Sequence, residues 1–210
     1  MADLWLEARN LTRVYARRAV IQGVSFRSSQ GELWAVLGPN GSGKSTLLRL
    51  LAGLLRPTSG ESEVRCAAGA FKGPDRRGVV GLVSPEISTY EELDGLENLE
   101  FAASLRGLPR EPAALRESLE SVGLGGAARQ RTGSYSSGMK QRLKLALAVQ
   151  HSPAVLLLDE PMALLDEGGR GLVRELVQRQ LSRGLVIWAT NDVSELPAER
   201  HEIQLAGAQP

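Results

Sequence analysis

Residues Gly38 to Ser45, GPNGSGKS, constrain the fold more than any other stretch, because the pattern G-x-x-x-x-G-K-S works in one local setting. It needs a strand before it and a helix behind it, so that backbone N–H groups at the helix start can wrap phosphate oxygens. The sequence supplies both. ELWAVL is a short apolar run, and STLLRLLAGLL repeats leucine at helical spacing. On this reading Gly38, Pro39, Asn40, Gly41, Ser42, Gly43, Lys44, Ser45 and Thr46 form a phosphate cradle. Lys44 reaches the terminal phosphates and Ser45 binds magnesium.

The metal side of such a cradle needs a carboxylate at a neighbouring strand end. AVLLLDEP reads as a buried strand broken by Pro161, and it delivers Asp159 to the metal with Glu160 beside it. LVIWATND reads as another buried strand, and GGRGLVRELVQRQLSRG between the two as an amphipathic helix. Strands alternating with helices predict a mainly parallel sheet, while the β-like runs LWLEA and AVIQGVSF near the start predict a smaller antiparallel layer. From 87 to 150 the pattern turns helical, in LENLEFAASLRG, EPAALRESLESVG and GMKQRLKLALAVQ, which predicts a helical subdomain inserted into one α/β domain. The remaining parts, 1–86 and 151–210, make the nucleotide-binding core with its β layer.

The third of those helices opens unusually, with YSSG. A preferred N-cap needs one serine; Ser136, Ser137 and Gly138 together offer a cluster of donors at a positive helix end, which is also how proteins hold phosphate. Charge excludes one class of partner: 25 basic against 24 acidic side chains leave no field to recruit nucleic acid. A single cysteine, Cys66, fits a reducing compartment, so the expected location is cytoplasmic. No leader-like segment opens the sequence, and no uninterrupted apolar run approaches the roughly 20 residues that cross a bilayer. His151 and His201, in a turn and a terminal strand region, read as structural.

With these residues in view, the chain resembles the ATP-binding subunit of ABC transporters over nearly its whole length. The likeness rests on GPNGSGKS, YSSGMKQR, LLLDE, MALLDEGG and VGLVSPEISTYEELDGLENL. It implies an α/β P-loop NTPase of the ABC type that hydrolyses ATP with Mg2+. It also implies roles for single residues. Tyr15 stacks on adenine; Ser136, Ser137 and Gly138 cap the ATP held by a second ATP-binding subunit, in a homodimer; Glu160 is the general base; Asp166 couples the two sites. The partners implied are transmembrane subunits, placing the chain peripherally on the inner face of the plasma membrane.

Two positions depart from the family pattern. Pro85 stands where a glutamine is usual, with Glu86 and Ser84 the nearest replacements, and Asn191 stands where a histidine usually contacts the γ-phosphate. Ala163 and Leu164 likewise replace small polar residues. Within the family, the chain is most similar to the ATP-binding subunit of cytochrome c biogenesis, or haem export. Export cassettes for drugs, lipids or polysaccharides share the same signature. A slowly hydrolysing assembly switch is the alternative that Pro85 and Asn191 suggest.

Overall fold

A computed structural model of the chain describes residues 4–206. The strand β1 (Trp5–Tyr15) turns back into β2 (Arg18–Ser29) through Ala16 and Arg17, whose φ angles of 44° and 71° give the left-handed two-residue turn that matches strand twist. Strands β3 (Leu33–Leu37), β4 (Ser59–Cys66) and β5 (Gly69–Lys72) follow. An antiparallel sheet runs β2-β1-β4-β5. The second sheet adds β6 (Val80–Val83), β7 (Val155–Asp159), β8 (Leu185–Ala189) and β9 (His201–Gln204), in the order β6-β7-β8-β3-β9. Every pairing in it is parallel, so it is more regular than the mainly parallel sheet expected.

Side-chain alternation splits this sheet between two cores. On β7, Leu156 and Leu158 face one cluster while Val155 and Leu157 face the other; on β8, Val186 and Trp188 oppose Leu185 and Ile187. Both strands are wholly buried, as parallel strands covered on two faces must be. The first core receives α2 (Gly95–Leu105), α3 (Pro112–Glu120), α4 (Ser137–Val149) and α5 (Glu167–Leu181). The second receives α1 (Lys44–Leu51) and the inner face of the antiparallel sheet.

The helical segment 87–150 thus shares a core with the parallel sheet. At Gly81 a Cβ would lie 2.2 Å from the Ala148 carbonyl oxygen, an approach of α4 to β6 that only glycine permits. Opposite, Arg76 locks the second layer. Its guanidinium donates to the carbonyls of Leu50 and Leu51 at the end of α1 and to Ser62 on β4, and burial lowers its pKa to about 10.

Among the described residues no helix is long and apolar enough to cross a membrane.

Candidate active site

The carboxyl ends of β3, β7 and β8 meet at one edge of the parallel sheet, where open α/β folds bind ligands. The loop after β3 turns sharply into α1. Gly43, immediately before the helix, has φ 101°, and a Cβ there would meet Val20 Cγ1 at 2.9 Å, so the β1–β2 hairpin packs directly on the phosphate loop. Lys44 is the first helical residue and only 7% exposed. Its ammonium donates to the Gly38 carbonyl at 2.8 Å and the Pro39 carbonyl at 3.4 Å, and it stands 4.0 Å from Glu160 Oε1. Ser42 is buried with its hydroxyl unpartnered.

A cleft of about 270 Å³ opens over this loop, lined by Asn40, Gly41, Gly43, Lys44, Ser45 and Thr46 together with Val20, Pro85, Asp159 and Glu160. Asp159, 2% exposed, ends β7 and shares a hydrogen bond with Ser45. Burial raises its pKa, and the Ser45 bond, Lys44 and Arg49 pull against that rise. Glu160 sits one residue beyond, with φ 48°. Its pKa too is raised by burial, against the opposing pull of Thr190 and Lys44.

Behind Glu160 lies a network that spacing in the sequence did not reveal. The Thr190 hydroxyl, fully buried, lies 3.2 Å from Glu160 Oε2 and 2.9 Å from Glu195 Oε2, and its one proton serves one of them at a time. It also accepts the Asp192 N–H. Glu195 faces Arg170 at 3.9 Å, and Arg170 Nε reaches the Leu165 carbonyl. Among the described residues nothing gathers three or more metal-ligating side chains. An oxygen pair such as Ser45 with Asp159 suits Mg2+, which takes one or two protein ligands and completes its shell with phosphate and water.

The other predicted residues lie elsewhere. Asn191 is exposed and donates through Nδ2 to Asn40 Oδ1 at 3.3 Å, tying the loop after β8 to the phosphate loop. Glu86 pairs with Arg49. The carbonyls of Ser84 and Pro85 accept from Lys144 of α4. Tyr15, 42% exposed, ends β1 at the tip of the hairpin.

Ser136 is the N-cap of α4, its hydroxyl accepting from Met139 N at 3.2 Å, and Ser137 beside it is exposed. Gly138 packs on the loop that carries Asp166: a Cβ would lie 3.0 Å from the Leu164 carbonyl. Asp166 itself caps α5, accepting from Gly169 N at 2.8 Å. Among the described residues none of Tyr15, Ser136, Ser137, Gly138 and Asp166 lines the cleft. Both histidines have structural contacts, His151 with the Val80 carbonyl and His201 stacked on Trp34.

A strand, a glycine-rich phosphate loop and a helix beside a buried strand-end carboxylate define the α/β P-loop NTPase fold, and solved structures superpose on it throughout. The dimeric ATP-binding cassette MJ0796, bound to ADP and Pi, matches with a TM-score of 0.84 over 95% of this chain and 94% of its own, at 24% identity. A putative ABC transporter ATP-binding protein from Pyrococcus furiosus matches with a TM-score of 0.81 over 96% and 97%, at 24% identity.

A model of the ABC transporter family matches residues 21–163, and the chain belongs to that family. The ABC transporter ATP-binding protein YxlF of Bacillus subtilis is 39% identical over 89% of this chain. The cytochrome c biogenesis ATP-binding export protein CcmA 2 of Cupriavidus metallidurans is 33% identical over 98% of this chain and 97% of its own length. The chain spans 62% of the length of YxlF and of the linearmycin resistance protein LnrL.

Proposed function

We propose that the chain binds and hydrolyses ATP as one of two paired cassettes that drive a separate membrane partner. The observation that carries this reading is the convergence of Lys44, Ser45, Asp159 and Glu160 on one cleft. Lys44 and the N–H groups of the loop hold the phosphates, Ser45 and Asp159 supply oxygens to Mg2+, and Glu160 accepts the proton of the attacking water. Bound Mg2+ neutralises phosphate charge. Burial raises the pKa of Glu160 against the pull of Thr190 and Lys44, which makes its carboxylate a stronger base.

Ser136, Ser137 and Gly138 act on the nucleotide of the second copy. The exposure of Ser136 and Ser137 supports this, since neither they nor Gly138 line the chain's own cleft. Asp166, on the loop packed against Gly138, couples the two sites. A groove of about 190 Å³ between the 84–93 loop, α2 and α4 offers Tyr90, Phe101 and Leu105 to the membrane subunit. Cytochrome c maturation is the pathway we infer, supported by the 33% identity to CcmA 2 over 98% of this chain. Drug, lipid or polysaccharide export is the alternative.

The test is a pair of variants. Removing a positioned base costs ~100- to 10,000-fold in rate, so Glu160→Gln binds ATP, hydrolyses it poorly and accumulates as a dimer on a sizing column. Adding Ser136→Arg returns it to monomer. A double variant that stays dimeric with ATP removes the serine corner from the interface.

A slower, switch-like cycle is supported by Pro85, which lines the cleft without a side-chain amide while Glu86 is drawn to Arg49. If that reading holds, Asn191→His raises phosphate release by about tenfold, equivalent to about 1.4 kcal/mol of barrier. Unchanged turnover removes it.

A further inference from the structure

Tyr15 has two faces, and only one is open to a ligand. The guanidinium of Arg13 lies over the ring with its central carbon 4.4 Å from the centroid, the geometry of a cation–π contact. Both residues belong to β1, and Arg13 is held from behind: NH1 donates to the Arg56 carbonyl at 3.0 Å, while Nε is buried without a partner. The guanidinium is therefore anchored to the chain on the side away from the ring. A phenol ring at a hairpin tip would otherwise spend much of its time in other rotamers, and stacking on a base would have to order it first.

We infer that Arg13 is a positioning residue for the nucleobase: it clamps one face of Tyr15 so that the other is presented, already ordered, to a purine, giving a guanidinium–phenol–adenine stack. This rests on the reading of Tyr15 as the adenine-stacking residue. It assigns to Arg13 a selective effect, on ligands that carry a base and not on their phosphates. The phosphate cradle is a separate piece of backbone, joined to the hairpin through Val20 and Ile21 against Gly43.

The experiment is calorimetric titration of the full chain with MgATP and, separately, with magnesium tripolyphosphate, which has the phosphates and no base. Arg13→Gln weakens MgATP three- to tenfold, on the order expected for losing a surface cation–π contact and its ordering of the ring. It leaves tripolyphosphate unchanged. Arg13→Lys, which keeps the charge but loses the planar stack, falls between wild type and Arg13→Gln. In a Tyr15→Leu background Arg13→Gln costs nothing further.

Equal losses for both ligands would show damage at the phosphate loop and overturn the inference. So would an undiminished Arg13 effect without Tyr15. Tyr15→Leu that binds ATP as wild type overturns instead the assignment of Tyr15 on which the inference rests. A melting temperature shared by all variants confirms that folding is not what is being read.

Discussion

The two ends of the proposed composite site are built differently. Around the phosphate loop the polar side chains are buried or half-buried and already bonded within the chain: Lys44 to the Gly38 and Pro39 carbonyls, Ser45 to Asp159, Glu160 to Thr190. At the start of α4, Ser136 satisfies one backbone donor and Ser137 stays exposed, with Gly138 resting on Leu164. The first region is organised before any ligand arrives. The second leaves Ser137 exposed on the surface. On the proposed reading, affinity for nucleotide resides in one chain, whereas closure and turnover require two.

The largest effect expected is at Lys44. A hydrogen bond to a charged group contributes about 1.5–3 kcal/mol, so Lys44→Ala lowers ATP affinity by about 10- to 100-fold in dilute protein. Ser136→Ala, in the same titration, changes nothing. A comparable loss in both variants would break the division of labour between the two regions.

Backbone demands separate the regions next. Gly43→Ala places a Cβ 2.9 Å from Val20 Cγ1 at φ 101°, and costs about 2 kcal/mol by urea unfolding at unchanged m-value. Gly138→Ala meets the Leu164 carbonyl at 3.0 Å and its other neighbours at 3.8 Å or more, in ordinary helical backbone, and costs less than about 1 kcal/mol.

Acid sharpens the comparison from the far end of α4. His151 holds the Val80 carbonyl through Nε2, its Nδ1 is buried without a partner, and burial with nearby Arg106 lowers its pKa to about 4. The unfolded chain therefore takes up a proton below its ordinary value of about 6.5 while the folded chain does not. Stability is full above that value, falls as pH drops from about 6.5 to about 4, and is level below. Solvent reaches part of the ring, so the loss is about 1–2 kcal/mol. His151→Gln flattens this part of the stability–pH curve, measured by urea unfolding at successive pH values; a slope that survives assigns it to the carboxylates.

The smallest effect is at Asn191. Its contact with Asn40 is exposed, so Asn191→Ala costs about 0.5 kcal/mol and lowers ATP affinity by about twofold. A tenfold loss would place Asn191 with the organised region rather than at its edge.

How much of this was legible in the sequence depended on the range of the interaction. The phosphate loop, the carboxylate pair after LLLDE and the helices of 87–150 are each written in consecutive residues, by motif or by period. Strand β4 is not: SGESEVRC buries only Ser62 and Val64, and neither hydrophobic run nor clean alternation marks it. Nor could spacing reveal that Thr190 stands behind Glu160, or that Lys144 holds the carbonyls of Ser84 and Pro85, because each of these pairings joins distant parts of the chain. Asn191 read as a departure from a family pattern; its bond to Asn40 depends on how two strand-end loops face each other.

The place of β3 in the parallel sheet has a consequence for how the chain is made. Its neighbours are β8 and β9, so the strand that launches the phosphate loop pairs only with segments the ribosome delivers much later. Such long-range pairing is slow, because loop closure must precede any gain from contact. Until β8 and β9 emerge, Leu33 to Leu37 is an apolar strand with two open edges, and a nascent chain carries the loop's sequence without its shape. Nucleotide therefore favours the chain in which these late strands have docked on β3, so ATP adds its binding energy at the end of folding rather than at its start.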